Sequence, residues 1–112
     1  TLRRTAKYGD GWIMLSHPAG TEAVALFDKL RGFAADEGRD PAAMGIEIWT
    51  SIAEGGPEEW RAEAQFWKEA GVSHITVNNA RERAHHKRIQ GSSFSDHVAG
   101  IERYREAIAD IL

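Results

Sequence analysis

Three short runs rich in aliphatic and β-branched residues constrain this chain most: Trp12–Leu15 (WIML), Gly45–Ala53 (GIEIWTSIA) and Val72–Asn79 (VSHITVNN). Each has strand length and is bounded by turn-forming residues. Between them lie two stretches with apolar residues at helical spacing. In the first, Val24, Phe27, Leu30 and Ala34 share a stripe, Thr21 is a good N-cap, and Gly38 stands just past the end. In the second, Pro57 suits the first turn, where its missing N–H costs nothing, and Glu58 and Glu59 favour the positive helix end. Trp60 and Trp67, seven apart on that helix, mark a packing stripe before Gly71 ends it. Leu2–Tyr8 reads as the end of a helix broken by Gly9-Asp10-Gly11. A last helix, capped by Ser95, aligns Val98, Ile101, Tyr104, Ile108 and Leu112. The order is α-β-α-β-α-β-loop-α. Strands joined by single helices are βαβ units, so the chain is α/β with a parallel sheet and right-handed crossovers.

Alternation along each strand assigns its faces. Ile13 and Leu15 oppose Trp12, Met14 and Ser16. Ile46, Ile48, Thr50 and Ile52 oppose Glu47, Trp49 and Ser51. Ile75 and Val77 oppose His74, Thr76 and Asn78. The aliphatic set of each strand is expected against the helices. The other set mixes Trp, Glu, His, Ser and Asn. A doubly wound sheet is apolar on both faces, whereas a barrel interior accepts polar groups near a ligand. The pattern therefore predicts the C-terminal portion of a (β/α)8 TIM barrel, with three parallel βα units forming a single domain over residues 1–112. Three strands cannot close a barrel of about eight. The fragment is expected to form a homo-oligomer or to pair with the missing barrel half. A start at Thr1, inside a helix, points the same way, to a fragment or processed product.

Composition narrows the partners. A net charge of −3 and a pI near 5.9 provide no global bias toward nucleic acid or a membrane surface. Cysteine is absent, which removes disulfide and thiolate chemistry and fits a reducing, cytoplasmic setting. No apolar run approaches the roughly 18 residues of a spanning helix. Against this acidic background, Arg81, Arg83, His85, His86, Lys87 and Arg88 crowd into eight residues directly after the third strand.

Several segments together resemble luciferase-like flavin- or deazaflavin-dependent monooxygenases and oxidoreductases. Leu2–Trp12 (LRRTAKYGDGW) resembles the stretch that leads into a late barrel strand of that family. Glu37–Trp49 (EGRDPAAMGIEIW) is similar to its GRDP connector and following strand, and Glu58–Asn78 to its last βα unit. The ending HHKRIQGSS…ERYREAIADIL resembles one subgroup. The family implies a TIM barrel that binds FMN or the deazaflavin coenzyme F-420, with a small-molecule substrate, at the C-terminal ends of the strands. The glycine-rich cofactor loop and the early strands are not in this sequence. The chain would thus be the C-terminal part of such an enzyme, contributing cofactor-tail binding and a pocket wall. The competing reading is a non-catalytic, self-associating half-barrel.

Strand-end residues are the candidates the resemblance implies for the cofactor: Ser16, Ser51 and Asn78, followed by His17, Thr50 and Asn79. The alternative is that they cap loops. In the basic loop, Lys87 and Arg88, then Arg83, are the candidates for an anionic cofactor tail, since loops after late barrel strands often hold phosphate. The alternative is a solvated loop, interrupted by Glu82. No residue can be named as catalytic, although His17 is of the residue type that often serves as a general base. No metal site is expected: adjacent His85 and His86 lack the i, i+4 spacing that aims two imidazoles at one ion. Trp12 and Trp49 are placed on the interior face, as filling or as a wall. Glu47 is expected to be buried, with His74 on the next strand as its partner.

Overall fold

The computed structural model describes residues 1–111. In chain order it contains α1 (Leu2–Tyr8), β1 (Gly11–Met14), α2 (Thr21–Asp36), a 3₁₀ turn (Pro41–Ala43), β2 (Gly45–Thr50), α3 (Pro57–Glu69), β3 (His74–Val77) and α4 (Phe94–Ile108). The strands form one parallel sheet in the order β1-β2-β3. Both crossovers step in the same direction, so two connections of the same hand put their helices on the same face.

That face holds the core. Met14, Ile46 and Ile48 pack with Ala23, Phe27, Leu30 and Ala34 of α2, Trp67 of α3 and Ala6 of α1. A second cluster joins Ile52 to Trp60 and Ala64 of α3 and to Tyr104 and Ile108 of α4, with Ile75 and Val77 against it. Phe27 touches both Trp12 and Trp67, with ring centroids about 6 Å apart in each pair. Trp60 and Trp67 are both buried, as their seven-residue spacing predicts.

The face assignment of β1 is reversed from expectation. Pairing aligns Trp12 with Ile46 and Met14 with Ile48, so Trp12 and Met14 meet the helices and Trp12 is not an interior wall. Ile13, paired with Glu47, lies on the other face at 54% exposure. Alternation separates two sets of residues, but pairing with β2 decides which set turns inward. The large Trp12 and Met14 side chains fill the space beneath α2. β1 ends at Met14 and β2 at Thr50, so Leu15 and Ser51–Ala53 lie beyond the ladder.

Helix ends differ in detail. Gly20, not Thr21, is the N-cap of α2 and offers no side-chain bond. Ala23 replaces Val24 in its buried stripe. Ser93, not Ser95, caps α4: its hydroxyl accepts from Asp96 N–H at 3.2 Å, and the Asp96 carboxylate accepts from Ser93 N–H at 3.0 Å. On α4, Tyr104 and Ile108 are buried but Ile101 is 49% exposed. The C-terminal half of the helix carries the contact with α3, reinforced by Arg61 donating to Asp110 at 2.8 Å. Leu112 lies outside the described residues. The GRDP connector has a structural task. Arg39 donates to the carbonyls of Ala6 (2.7 Å) and Gly9 (2.6 Å) at the end of α1, and the Asp40 carboxylate accepts from Ala42 N–H at 2.9 Å.

Candidate functional site: the strand-end rim and the bare sheet face

Helices cover one face of the sheet; the other carries Ile13, Glu47, Trp49, His74 and Thr76. Glu47 organises this bare face. Its Oε1 accepts from Thr76 Oγ1 at 2.8 Å and from Trp49 Nε1 at 3.3 Å. Glu47 is half-buried rather than enclosed, and its partner is not His74. His74 is its direct neighbour in the ladder, yet it is exposed and sets Nδ1 2.9 Å from Ser73 Oγ. The Glu47 side chain instead runs along the strand to Thr76. A shallow recess of about 310 Å³ over this face is lined by Gly11, Ile13, Gly45, Glu47 and His74, toward the N-terminal ends of the strands.

At the opposite, C-terminal ends, the segment after β3 doubles back across the sheet. Asn78 Nδ2 donates to the Arg81 carbonyl at 3.0 Å, starting the turn. Arg83 and His86 exchange backbone hydrogen bonds around a tight reversal, in which Ala84 takes a left-handed φ of 54°. Lys87 N–H donates to Ser51 Oγ at 3.2 Å, beyond the end of β2. His86 Nε2 lies 3.1 Å from the carbonyl oxygen of Leu15, beyond the end of β1. Ile89 N–H returns to the Asn79 carbonyl at 3.2 Å, closing the loop. The segment thus bridges all three strand ends.

Of the candidate cofactor residues, Ser51 and Asn78 hold this loop, the role that the loop-capping alternative gives them. Thr50, buried, donates from Oγ1 to Glu63 at 3.2 Å. Ser16 is exposed beside Leu15, and His17 is half-buried. Lys87, Arg88, Arg81 and Arg83 are exposed, and among the described residues no carboxylate lies within ion-pair distance of any of them. The rim therefore offers cations without internal partners.

The surroundings of three residues escaped sequence reasoning, although the sequence places Asn79 at a strand end and His86 in the basic run. His86 is 1% exposed, although it lies inside the most polar run of the chain. Asn79 is 5% exposed, and neither amide atom has a hydrogen-bond partner. Glu63 accepts from both Thr50 and Trp67, the latter at 3.0 Å. Only Glu63 left a trace in the sequence, four residues before Trp67 on one helix face. The His85 and His86 rings stack 4.1 Å apart at 37°. Burial pushes the pKa of His85 down, and the neighbouring His86 and His17 add to this, while Glu63 opposes them. Among the described residues no group of three or more His, Asp or Glu side chains is placed to hold a metal, and no helix is long and apolar enough to cross a membrane.

A second recess, of about 330 Å³, opens between the β2–α3 loop and α4, lined by Ile52, Trp60, Gln90, Asp96, Gly100 and Arg103. Neither recess is lined by Ser16, Ser51, Asn78, Lys87 or Arg88. No family model, no curated protein and no solved structure matches this chain.

Proposed function

We propose that this chain supplies consecutive βα units of a (β/α)8 barrel in a luciferase-like flavin- or deazaflavin-dependent oxidoreductase. One observation carries the reading: the strands run in the order β1-β2-β3, with helices packed on one face and a polar, partly exposed opposite face. A doubly wound sheet reverses its strand order and covers both faces; a barrel wall does neither. In this reading Ile13, Glu47, Trp49 and Thr76 look into the barrel. Ser16, Ser51 and Asn78 sit at the rim, and Lys87 and Arg88, with Arg83, pair with the anionic tail of FMN or coenzyme F-420. The cations at the strand C-termini, which have no ion-pair partner among the described residues, suit such a tail. The bound cofactor supplies the hydride or oxygen chemistry, and this chain's residues orient it.

Fluorescence titration with FMN and with oxidised and reduced coenzyme F-420 tests the reading. One cofactor should bind, more weakly as salt rises, and the double charge reversal Lys87→Glu/Arg88→Glu should weaken it by about tenfold or more. Unchanged affinity in that variant removes the tail-binding role.

The exposed Ile13 and half-exposed Trp49 on one bare face favour a second reading, a self-associating half-barrel without catalysis. It predicts a dimer or larger species by sedimentation that Ile13→Glu dissociates, with no binding of either cofactor.

A further inference from the structure

The turn that carries the basic residues has a feature its charge does not explain: a buried histidine with half of its ring unpaired. The Leu15 carbonyl can only accept, so the Nε2 of His86 at 3.1 Å must carry the hydrogen. Nδ1 of the same ring is buried and has no partner. A proton added there would turn a buried acceptor into a buried donor and place a charge where nothing receives it. The surroundings do not help. His85 stacks directly on the ring, and His17 stands near the pair from the β1–α2 loop. Arg83 and Lys87 flank it in sequence, with Arg81, Glu82 and Arg88 farther along the same exposed turn. The one carboxylate facing the pair from α3 is Glu63, whose Oε1 already accepts from Thr50 and Trp67.

We infer that Asn79–Ile89 is a proton-sensitive strap: it lies across the ends of β1 and β2 while the His85–His86 pair is neutral, and it lifts when the pair takes up a proton. Few bonds hold it down. Across the ends of β1 and β2 they are His86 to Leu15 and Lys87 N–H to Ser51; Asn78 to the Arg81 carbonyl and Ile89 against the second core cluster anchor the two ends of the strap, and a left-handed alanine stands at the turn between. Lifting frees the Leu15 carbonyl and the Ser51 hydroxyl, both at the strand-end rim. The sign follows from the geometry: Nδ1 of the buried His86 has no acceptor to receive a proton, and the exposed His85 points the same way. Its folded-state pKa lies below its ordinary value, so the stabilisation from keeping it neutral is present above that ordinary value and is lost as pH falls through the folded one. Acid therefore opens the strap. The device requires no cofactor and stands whether or not the oxidoreductase reading holds.

Amide hydrogen exchange on the full chain, corrected for intrinsic pH dependence, tests it. Between about pH 7.5 and pH 5.5, protection of the His86 and Lys87 amides should fall by about tenfold or more, while that of Ile48 and Trp67 holds. The variants His85→Gln and His86→Gln keep a neutral donor but cannot take up a proton, and the double variant should lose the pH dependence. Unchanged protection in the wild type, an equal fall in the double variant, or a fall shared by Ile48 and Trp67 overturns the strap. Should the double variant fail to fold, imidazole NMR titration of the wild type decides instead: strap opening must share its midpoint with His85 or His86, and a midpoint apart from both overturns the inference.

Discussion

Residue chemistry and residue position part company most sharply at Asn79 and His86. His86 belongs to a run that composition marks as solvated and Asn79 to a strand end read as facing a pocket, yet both are buried in the fold. A buried amide without partners is a cost that an apolar group of similar shape does not carry. Asn79→Leu should therefore hold or raise stability, by about 1 kcal/mol, measured by urea unfolding. A loss of that size would show that the amide has a partner in solution. The Asn79 side chain lies against α4, where its Nδ2 is 3.5 Å from the point a Cβ on Gly100 would occupy. No local pattern announces this, because the contact joins the end of β3 to a helix that begins more than a dozen residues later. By contrast, the burial of Trp60 and Trp67 was legible, since both sit on one helix stripe whose spacing needs no tertiary information.

At the scale of elements, β1 and β2 start side by side on glycine. Gly11 pairs with Gly45, and a Cβ added to Gly11 would fall 2.6 Å from the Gly45 carbonyl oxygen. Backbone cannot step aside as a flexible side chain can, so Gly11→Ala should cost about 1–3 kcal/mol. Gly32, on the exposed side of α2 with open space around it, provides the contrast: Gly32→Ala should add about 0.5–1 kcal/mol. Equal effects at the two sites in thermal unfolding would contradict this packing. Element existence and order were readable throughout, because each helix and strand carries its own period. Caps were less so: Ser93 and Ser95 are both good N-caps by type, and only Ser93 has Asp96 three residues on to complete the reciprocal bonds.

For the whole molecule, the aromatic contact of Trp12, Phe27 and Trp67 ties β1, α2 and α3 together. Phe27 is fully buried at its centre. Phe27→Ala should cost about 3–5 kcal/mol, a large share of the roughly 5–15 kcal/mol that holds a domain of this size. Urea unfolding should show one transition at much lower denaturant; a midpoint shifted only slightly would mean that the sheet does not depend on α2. The same architecture leaves the opposite face uncovered, with Glu47 holding Trp49 and Thr76 in place. That asymmetry is the property from which the barrel-wall and self-association readings both start.

By itself the sequence determined the order of elements, the parallel class of the sheet and the polar character of one of its faces. These follow from local periodicity and from the short reach of single-helix connections. The tertiary structure alone decided which side of β1 faces the helices, that Glu47 turns to Thr76 instead of His74, and that the basic run folds back to bury His86 over the end of β1. The reason is common to all three. Alternation and charge describe a segment relative to itself, whereas strand register and loop return are set by residues far along the chain, whose positions exist only once the core has formed.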